Sequence, residues 1–276
     1  MNDTVTVPSV RARKRSNGGA PLVMITAYDA PTASAVDAAG VDLILVGDSV
    51  ANTVLGYEDT LSVTVADMAH HVAAVARAKP KALVVGDMPW MSYHTSIDDA
   101  VRNAATLIRA GAGAVKLEGG ARRSPVIDAI VGAEIPVMGH LGLTPQSVHA
   151  LGGFRVQARE VDSIDLLLAD AEALVAAGCF AMVLEAVPDV VAAKVTDLVA
   201  VPTIGIGAGG ACDGQVLVAH DLLGLGESHP AKFVRRYADL RGAIIEAVSA
   251  WAADVRSGAF PADEETYHLP RDRAPG

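Results

Sequence analysis

The chain is poor in aromatic side chains, which make up only 4% of its 276 residues. Apolar residues nevertheless reach 51% and charged residues only 20%, so the apolar content comes mainly from small and aliphatic side chains. This composition supplies a large core, excludes global disorder and favours helices packed closely on a sheet over a β-sandwich. The length is ordinary for a single α/β barrel.

Basic charge, long apolar runs and cysteine are also scarce. The net charge of −10 at pH 7 argues against a nucleic-acid partner, because phosphate binding needs a basic surface. No apolar run reaches the length of a membrane span, and the first residues lack the apolar segment of a signal peptide. Cys179 and Cys212 show neither metal-ligand nor redox spacing, so we expect reduced thiols that pack in a cytoplasmic protein.

Short apolar segments alternate with helical patterns about eight times, at roughly 30 residues per unit. Two of the segments, over residues 43–46 and 83–85, end abruptly in Gly-Asp. Such bounded apolar runs are typical of fully buried parallel strands. The alternation predicts an α/β protein with a (β/α)8 barrel, and an open doubly wound sheet is the alternative.

We expect a flexible N-terminal arm over residues 1–20, a single barrel domain over 21–260 and an exposed C-terminal tail over 261–276. The last strand is expected over 215–220, and an amphipathic run over about 233–256 is expected to close the domain. One connection, over residues 142–162, is long enough to suggest a lid or an interface element. The arm carries a basic cluster, which consists of Arg11, Arg13, Lys14 and Arg15.

Acidic side chains stand at the carboxyl ends of three consecutive predicted strands: Asp48, Asp87 and Glu118. Neighbouring strands lie about 4.8 Å apart, so three carboxylates there would repel one another unless a cation neutralised them. A ligand set made only of oxygens favours Mg²⁺, which takes one or two carboxylates together with water and substrate oxygens. For either aspartate alone, capping of the following helix is an equally good explanation, but not for the whole set.

Three further polar residues are expected at the same end of the barrel. Lys116 shares the inward parity of Glu118, and its charge suits a carboxylate or a developing enolate oxygen. Glu185 ends strand six, across the barrel mouth from strand two, where a general base would reach a substrate held by the aspartates. A structural ion pair with an arginine is its alternative role. His140 is either a substrate-binding residue or a hydrogen-bonded core histidine.

Five motifs follow one another in order: Ile-Thr-Ala-Tyr-Asp (25–29), Val-Gly-Asp-Ser (46–49), Val-Lys-Leu-Glu-Gly-Gly (115–120), Gly-His-Leu-Gly-Leu-Thr-Pro-Gln-Ser (139–147) and Ile-Gly-Ile-Gly-Ala-Gly (204–209). Together they resemble the ketopantoate hydroxymethyltransferase (3-methyl-2-oxobutanoate hydroxymethyltransferase) family. The resemblance implies a TIM barrel of the phosphoenolpyruvate mutase/isocitrate lyase-like type. It also implies one Mg²⁺ per subunit and 5,10-methylenetetrahydrofolate as co-substrate. Such an enzyme would convert 3-methyl-2-oxobutanoate into 2-dehydropantoate (ketopantoate), the first committed step of pantothenate and coenzyme A biosynthesis.

The resemblance also implies roles for individual residues. Asp48 and Asp87 would hold the metal ion, with Glu118 completing the site directly or through water, and Glu185 would be the proton acceptor. Family members are commonly decamers, so a large homo-oligomer is expected. The residues expected at the keto-acid site, with His140 added because of its position in the sequence, are Asp48, Ser49, Asp87, Lys116 and His140.

Two other functions fit the same residues. A Mg²⁺-dependent C–C lyase of the isocitrate lyase or phosphoenolpyruvate mutase type also binds 2-oxo acids on a barrel rim. That type usually carries a catalytic cysteine, and neither cysteine of this chain is well placed, so folate-dependent activity would distinguish the two. A non-catalytic barrel that binds metal as a regulator or assembly subunit is the second alternative. The complete set of carboxylates with Lys116 and Glu185 argues against it, and turnover of 3-methyl-2-oxobutanoate would decide.

Overall fold

The structure is a computed structural model that describes residues 4–151, 153, 156–158, 160–226 and 231–269. Its strands are all parallel, each pairs with its neighbours in sequence, and β1 pairs with β8 to close the barrel. The predicted (β/α)8 barrel is therefore confirmed. The strands are β1 (Leu22–Thr26), β2 (Leu43–Val46), β3 (Leu83–Asp87), β4 (Ala114–Glu118), β5 (Val137–Gly142), β6 (Ala181–Glu185), β7 (Thr203–Ile206) and β8 (Gly214–Leu217).

Helices alternate with these strands, and several begin at a capping side chain. Thr64 and Asp67 form a capping box at the start of one helix, and each side chain bonds to the main chain of the other. The helices are α1 (Val7–Arg11), α2 (Ala30–Ala38), α3 (Val50–Thr53), α4 (Val65–Arg77), α5 (Ile97–Ala110), α6 (Ser124–Gly132), α7 (Val148–Leu151), α8 (Val161–Ala176), α9 (Asp189–Leu198), α10 (Ala219–Leu223) and α11 (Leu240–Ser257). Within the part of the chain that the structure describes, no helix combines the length and apolar character that crossing a bilayer requires.

Apolar side chains pack on both sides of the barrel wall, as β4 illustrates. Val115 and Leu117 point outward and join the cluster between the strands and the helices. Ala114 points inward and joins the cluster that fills the barrel interior. Lys116 and Glu118 share this inward parity but lie at the carboxyl end, where they line a cavity instead of the core. The predicted orientation of β4 is thus the observed one.

The N-terminal segment, expected to be a flexible arm, is folded over its described part. Helix α1 buries Val10 completely, and this side chain packs with the interior cluster of the barrel. Lys14 is only 4% exposed: its ammonium donates to the carboxylate of Asp213 (2.8 Å) and to the carbonyl of Thr196 (2.5 Å). A run of basic residues is usually solvated, so the sequence alone did not reveal that one lysine has a buried partner nearly 200 residues away.

The expected division into an arm, a single barrel domain and a tail stays a prediction. The chain divides into two compact units, Met1–Ala219 with Pro230–Val234, and His220–His229 with Arg235–Gly276. The predicted amphipathic run does form a helix, α11, but no residue of this helix is buried. Its apolar pattern predicted a covered face without indicating what covers it. The expected strand over 215–220 is shorter, because β8 ends at Leu217 and α10 begins at Ala219.

Three predicted segments lie partly outside the described residues. The residues outside are 1–3 of the N-terminal arm, 152, 154, 155 and 159 of the connection over 142–162, and 270–276 of the C-terminal tail. The described start of the connection turns directly back over the barrel mouth through the short 3-10 helix Pro145–Ser147. This turn contributes to the site described next.

Candidate active site

The polar side chains singled out in the sequence converge on one cavity of about 150 Å³ at the carboxyl ends of the strands. Five of these side chains are at most 5% exposed: Asp48, Asp87, Lys116, Glu118 and His140. No packing requirement explains so many buried polar groups, and a site of this composition needs ligands or mutual pairing to be stable. The residues brought together are Asp48, Ser49, Asp87, Lys116, Glu118, His140 and Glu185.

Lys116 and Asp87 form a buried ion pair in the cavity wall. The Lys116 Nζ lies 2.9 Å from Asp87 Oδ2, and the main-chain N–H of Asp48 donates to the same oxygen at 3.2 Å. Burial lowers the pKa of Lys116, but the negative charges of Asp87, Glu118 and Asp48 outweigh it and raise the pKa above its usual value. Lys116 is therefore a permanent positive charge next to the carboxylates.

The carboxylates themselves are electrostatically strained. Burial raises the pKa of Asp48 well above its usual range, and the charges of Asp87 and Glu118 raise it further. Burial also raises the pKa of Asp87, although Lys116 opposes the shift. The two raised pKa values show that positive groups in this pocket do not fully balance the negative charges of the aspartates.

A divalent cation would supply the positive charge that the two aspartates lack. Asp87 Oδ1 is buried and has no hydrogen-bond partner, so one carboxylate oxygen next to Asp48 is free for a ligand. Within the described ranges, no group of three or more His, Cys, Asp or Glu side chains is arranged to hold a metal ion. The fit is therefore to a hard cation that takes two aspartates and completes its shell with water and substrate oxygens, as Mg²⁺ does.

His140 lies between two glutamates. Its Nδ1 is 3.3 Å from Glu118 Oε1, and its Nε2 is 3.2 Å from Glu185 Oε2. Burial and the charge of Lys116 lower the pKa of His140, but Glu118 and Glu185 raise it more, to about 9. The imidazole is thus protonated at neutral pH, and the same contact lowers the pKa of Glu118 in spite of burial.

Main-chain contacts with the end of β5 hold the backbone of Glu185 in place. Glu185 ends β6, and its carbonyl accepts a hydrogen bond of 2.8 Å from the N–H of Leu143, just after β5. Gly142 has a φ of +90°, and a Cβ there would lie 2.3 Å from the Glu185 carbonyl oxygen. Only glycine allows this close approach of the two backbones.

Two residues outside the predicted site set, Gln146 and Tyr93, hold the carboxylates in place. Gln146, buried in the Pro145–Ser147 turn, donates from its side chain to Asp48 Oδ2 at 2.9 Å. Tyr93, also buried, bonds to Gln146 through its hydroxyl. Gln146 lies inside the motif over 139–147, which was the available signal. Tyr93 follows β3 in a loop, and the sequence favours pocket lining and loop packing equally for it.

Two hydroxyl groups complete the wall. Ser49 Oγ shares a hydrogen bond of 2.7 Å with the hydroxyl of Tyr28, which comes from the loop after β1. Thr60 also lines the cavity, and its Oγ1 is buried without a partner. The site therefore offers hydroxyl groups on the side of β2, opposite Glu185.

Comparison with known proteins places this site in a family. The sequence model of the ketopantoate hydroxymethyltransferase family matches residues 4–263. The chain belongs to this family. It is 55% identical over 265 residues to 3-methyl-2-oxobutanoate hydroxymethyltransferase of Methylobacterium sp. (strain 4-46), which covers 96% of this chain and 91% of the relative. It is 57% identical over 249 residues to the enzyme of the same name from Pyrobaculum islandicum, with coverage of 90% and 95%.

As a ketopantoate hydroxymethyltransferase family member, the chain is a transferase enzyme, as the resemblance implied. Its fold also resembles the crystal structure of 2,3-dimethylmalate lyase, described as a member of the PEP mutase/isocitrate lyase superfamily. The two structures share 18% sequence identity and a TM-score of 0.60, over 95% of this chain and 91% of the lyase. The likeness confirms the expected type of barrel.

Proposed function

We propose that the protein transfers a hydroxymethyl group from 5,10-methylenetetrahydrofolate to 3-methyl-2-oxobutanoate, giving ketopantoate for pantothenate and coenzyme A synthesis. The single observation that carries the proposal is the convergence of two aspartates, Lys116 and Glu185 on one buried cavity. A 2-oxo acid needs all three: a cation site for its oxygens, a positive charge for its carboxylate or enolate, and a base for its C3 proton.

Asp48 and Asp87 would hold one Mg²⁺, with Glu118 reaching it directly or through water. The orphaned oxygen of Asp87 and the raised pKa values of both aspartates support this assignment. When bound, the ion would supply Lewis-acid polarisation of the 2-oxo group and so acidify C3. Replacing Asp87 by alanine is expected to weaken Mg²⁺ binding and to lower activity at a given Mg²⁺ concentration, and full activity of that variant without added metal would contradict the ligand set.

The keto acid would bind between the aspartates and Lys116. The buried ammonium pairs with the developing negative charge, and it needs no reorganisation because Asp87 already holds it in place. Ser49 lies directly after Asp48 and offers a hydroxyl group to the substrate. The Nδ1 of His140 lies 3.4 Å from Lys116 Nζ, so the imidazole borders the keto-acid site between Lys116 and the two glutamates.

Glu185 would be the general base. It removes the C3 proton, and the C–H electron pair forms the C2–C3 double bond while negative charge moves to the C2 oxygen near Lys116. Water would release the one-carbon unit from the folate as a carbonyl: both C–N bonds of the methylene bridge break, and the two nitrogens take up protons as tetrahydrofolate leaves. The nucleophilic C3 then forms its bond to this carbonyl carbon, and the oxygen that came from water takes up the proton held by Glu185 and becomes the hydroxyl of the product. The 18% exposure of the Glu185 side chain supports this role, because the carboxylate is reachable from the open end of the cavity.

The test is proton exchange at C3. In deuterated water with Mg²⁺ and without folate, wild-type protein is expected to exchange the C3 proton of 3-methyl-2-oxobutanoate, followed by proton NMR. Glu185→Gln is expected to abolish exchange while keto-acid binding, measured by calorimetry, persists. Glu172→Gln, an exposed glutamate on α8, is the matched control and should exchange normally. Unchanged exchange by Glu185→Gln would reject the assignment of the base.

A C–C lyase remains the second candidate because it uses the same barrel rim. The measurement that separates the two is product formation with and without 5,10-methylenetetrahydrofolate. Product that depends on the folate supports the transferase, whereas cleavage of a branched 2-hydroxy acid without folate would favour the lyase. The buried cysteines argue for the transferase, since burial raises the pKa of Cys179 to about 12 and leaves it unreactive.

We further propose that the chain is a homo-oligomer, with a decamer as the expectation from the family. The apolar spacing along α11 is typical of a covered helix face, and it supports association with a second copy. Native mass spectrometry at micromolar concentration should detect a single large assembly, and a monomer would contradict the proposal. The exposed apolar residues of this helix are Ile244, Ile245, Val248, Trp251 and Val255.

A further inference from the structure

Gln146 joins three separate strand ends, those of β2 and β3 through its buried side chain and that of β4 through its main-chain N–H. Its Nε2 donates to Asp48 Oδ2 at 2.9 Å and to the carbonyl of Met88 at 3.0 Å. Its Oε1 accepts a hydrogen bond of 2.6 Å from the hydroxyl of Tyr93, and its main-chain N–H donates to Glu118 Oε2 at 3.1 Å. Gln146 is 5% exposed, so water cannot replace these contacts without a rearrangement.

The network determines which way the amide of Gln146 points. The main-chain N–H of Glu118 donates to the hydroxyl oxygen of Tyr93, which leaves the Tyr93 proton for an acceptor. That acceptor is Oε1 of Gln146. The amide nitrogen must then face Asp48, where both of its protons find oxygen acceptors. Each donor in this hydrogen-bond network has one acceptor. A flip of the Gln146 amide would therefore leave a buried polar group without a partner.

We infer that Gln146 is a positioning residue for the cation site. It binds one oxygen of each of two carboxylates, Oδ2 of Asp48 and Oε2 of Glu118, and leaves Oδ1 and Oε1 without a bond to it. The side chain would fix the rotation of Asp48 and lower the repulsion within the carboxylate cluster before a cation arrives. This inference rests on the proposed function, since it assumes that Asp48 and Asp87 hold a divalent cation.

The expected size of the effect follows from the behaviour of groups that orient metal ligands. Removing such a group commonly weakens metal binding by about 10- to 100-fold. A role limited to packing predicts something different: a less stable protein, or a low kcat that excess metal does not restore. Cation affinity and rescue by metal therefore separate the two roles.

The test compares Gln146→Leu and Gln146→Met, both of which fill the volume and remove the side-chain hydrogen bonds but keep the main-chain bond to Glu118. Asn103→Leu is the matched control, because the Asn103 amide donates to the carbonyl of Ser92 in the loop after β3 and touches no carboxylate of the site. Mn²⁺ binding to protein without substrates is measured by electron paramagnetic resonance. The Kd is expected to rise about 10- to 100-fold in both Gln146 variants and less than about threefold in the control.

A second measurement is activity against Mg²⁺ concentration. In the Gln146 variants, kcat should recover most of its wild-type value once Mg²⁺ saturates the weakened site. A folded variant with a Mn²⁺ Kd within twofold of wild type, or with a kcat that saturating Mg²⁺ does not raise, would overturn the inference. If instead the wild-type protein binds no Mn²⁺, the proposed cation site fails, and that result is distinct from a failure of the Gln146 assignment alone.

Discussion

Replacing Lys14 by methionine removes one of the most deeply buried charges of the chain while keeping the length of its side chain. In the Lys14–Asp213 pair, the side chains are 5% and 0% exposed. After the replacement, Asp213 retains hydrogen bonds from the main-chain N–H groups of Arg15 and Thr203 and from the Thr203 hydroxyl, but no positive charge. The carbonyl of Thr196 also loses its donor.

The cost can be estimated from the two partners that are left. Breaking a buried ion pair by removing one partner costs about 3–5 kcal/mol, because the remaining charge is uncompensated. For a chain of this length a urea slope of roughly 3 kcal/mol per M is expected, so the unfolding midpoint should fall by about 1–1.7 M. Arg13→Met is the matched control in the same segment. Its pair with Asp42 is partly exposed, at 34% and 16%, and should be worth at most about 1 kcal/mol.

The assay is urea unfolding followed by circular dichroism, at one protein concentration for all variants so that any assembly contributes equally. The double replacement Lys14→Met with Asp213→Asn should recover part of the loss, because it removes the stranded charge. If Lys14→Met shifts the midpoint no further than Arg13→Met does, the pair contributes little and the N-terminal segment is not anchored in the way its buried contacts indicate.

Three other outcomes follow from the structure. Gly142→Ala is expected to cost at least about 2 kcal/mol of stability, by thermal unfolding, and to reduce keto-acid turnover, because the new Cβ would displace the Glu185 backbone; wild-type values for both would contradict the close approach. Because the pKa of His140 is raised to about 9, the charged imidazole stabilises the folded state. This stabilisation is fully present below pH 6.5 and is lost as pH rises through 9. Relative to His140→Gln, metal-free wild type should therefore lose about 3 kcal/mol of unfolding free energy over that window, and a flat difference in urea titrations would exclude the shift. Thr64→Ala should lower stability by about 1 kcal/mol through loss of the α4 cap, with no change in Mn²⁺ binding.

Local sequence patterns predicted the elements whose structure depends on neighbours in the chain. The apolar runs that end at Asp87 and Glu118 are strands β3 and β4, because parallel strands buried on both faces have a distinctive composition. The capping box at Thr64 was predictable because both of its partners lie within four residues. The convergence of polar residues on one cavity was also predictable, since barrel closure brings all carboxyl strand ends together.

The missed features depend on contacts that sequence spacing does not encode. Lys14 reaches Asp213 across 199 residues, and a basic cluster gives no indication of which member is buried. Tyr93 acts through Gln146, which lies 53 residues further along the chain, so neither residue forms a local motif with the other. In α11, the apolar spacing predicted a covered face, yet the covering surface is not part of the local pattern.

The long separation between Lys14 and Asp213 has a consequence for the order of events during synthesis. Strand β1 can pair with β2 early, but its other edge stays open until β8, almost 200 residues later, has left the ribosome. The Lys14 ammonium likewise has no Asp213 carboxylate to pair with until that late segment has been synthesised. The nascent chain therefore has an unpaired edge of β1 and an unpaired Lys14 for most of its translation. The segment of Asp213 and β8 pairs with both when it is synthesised.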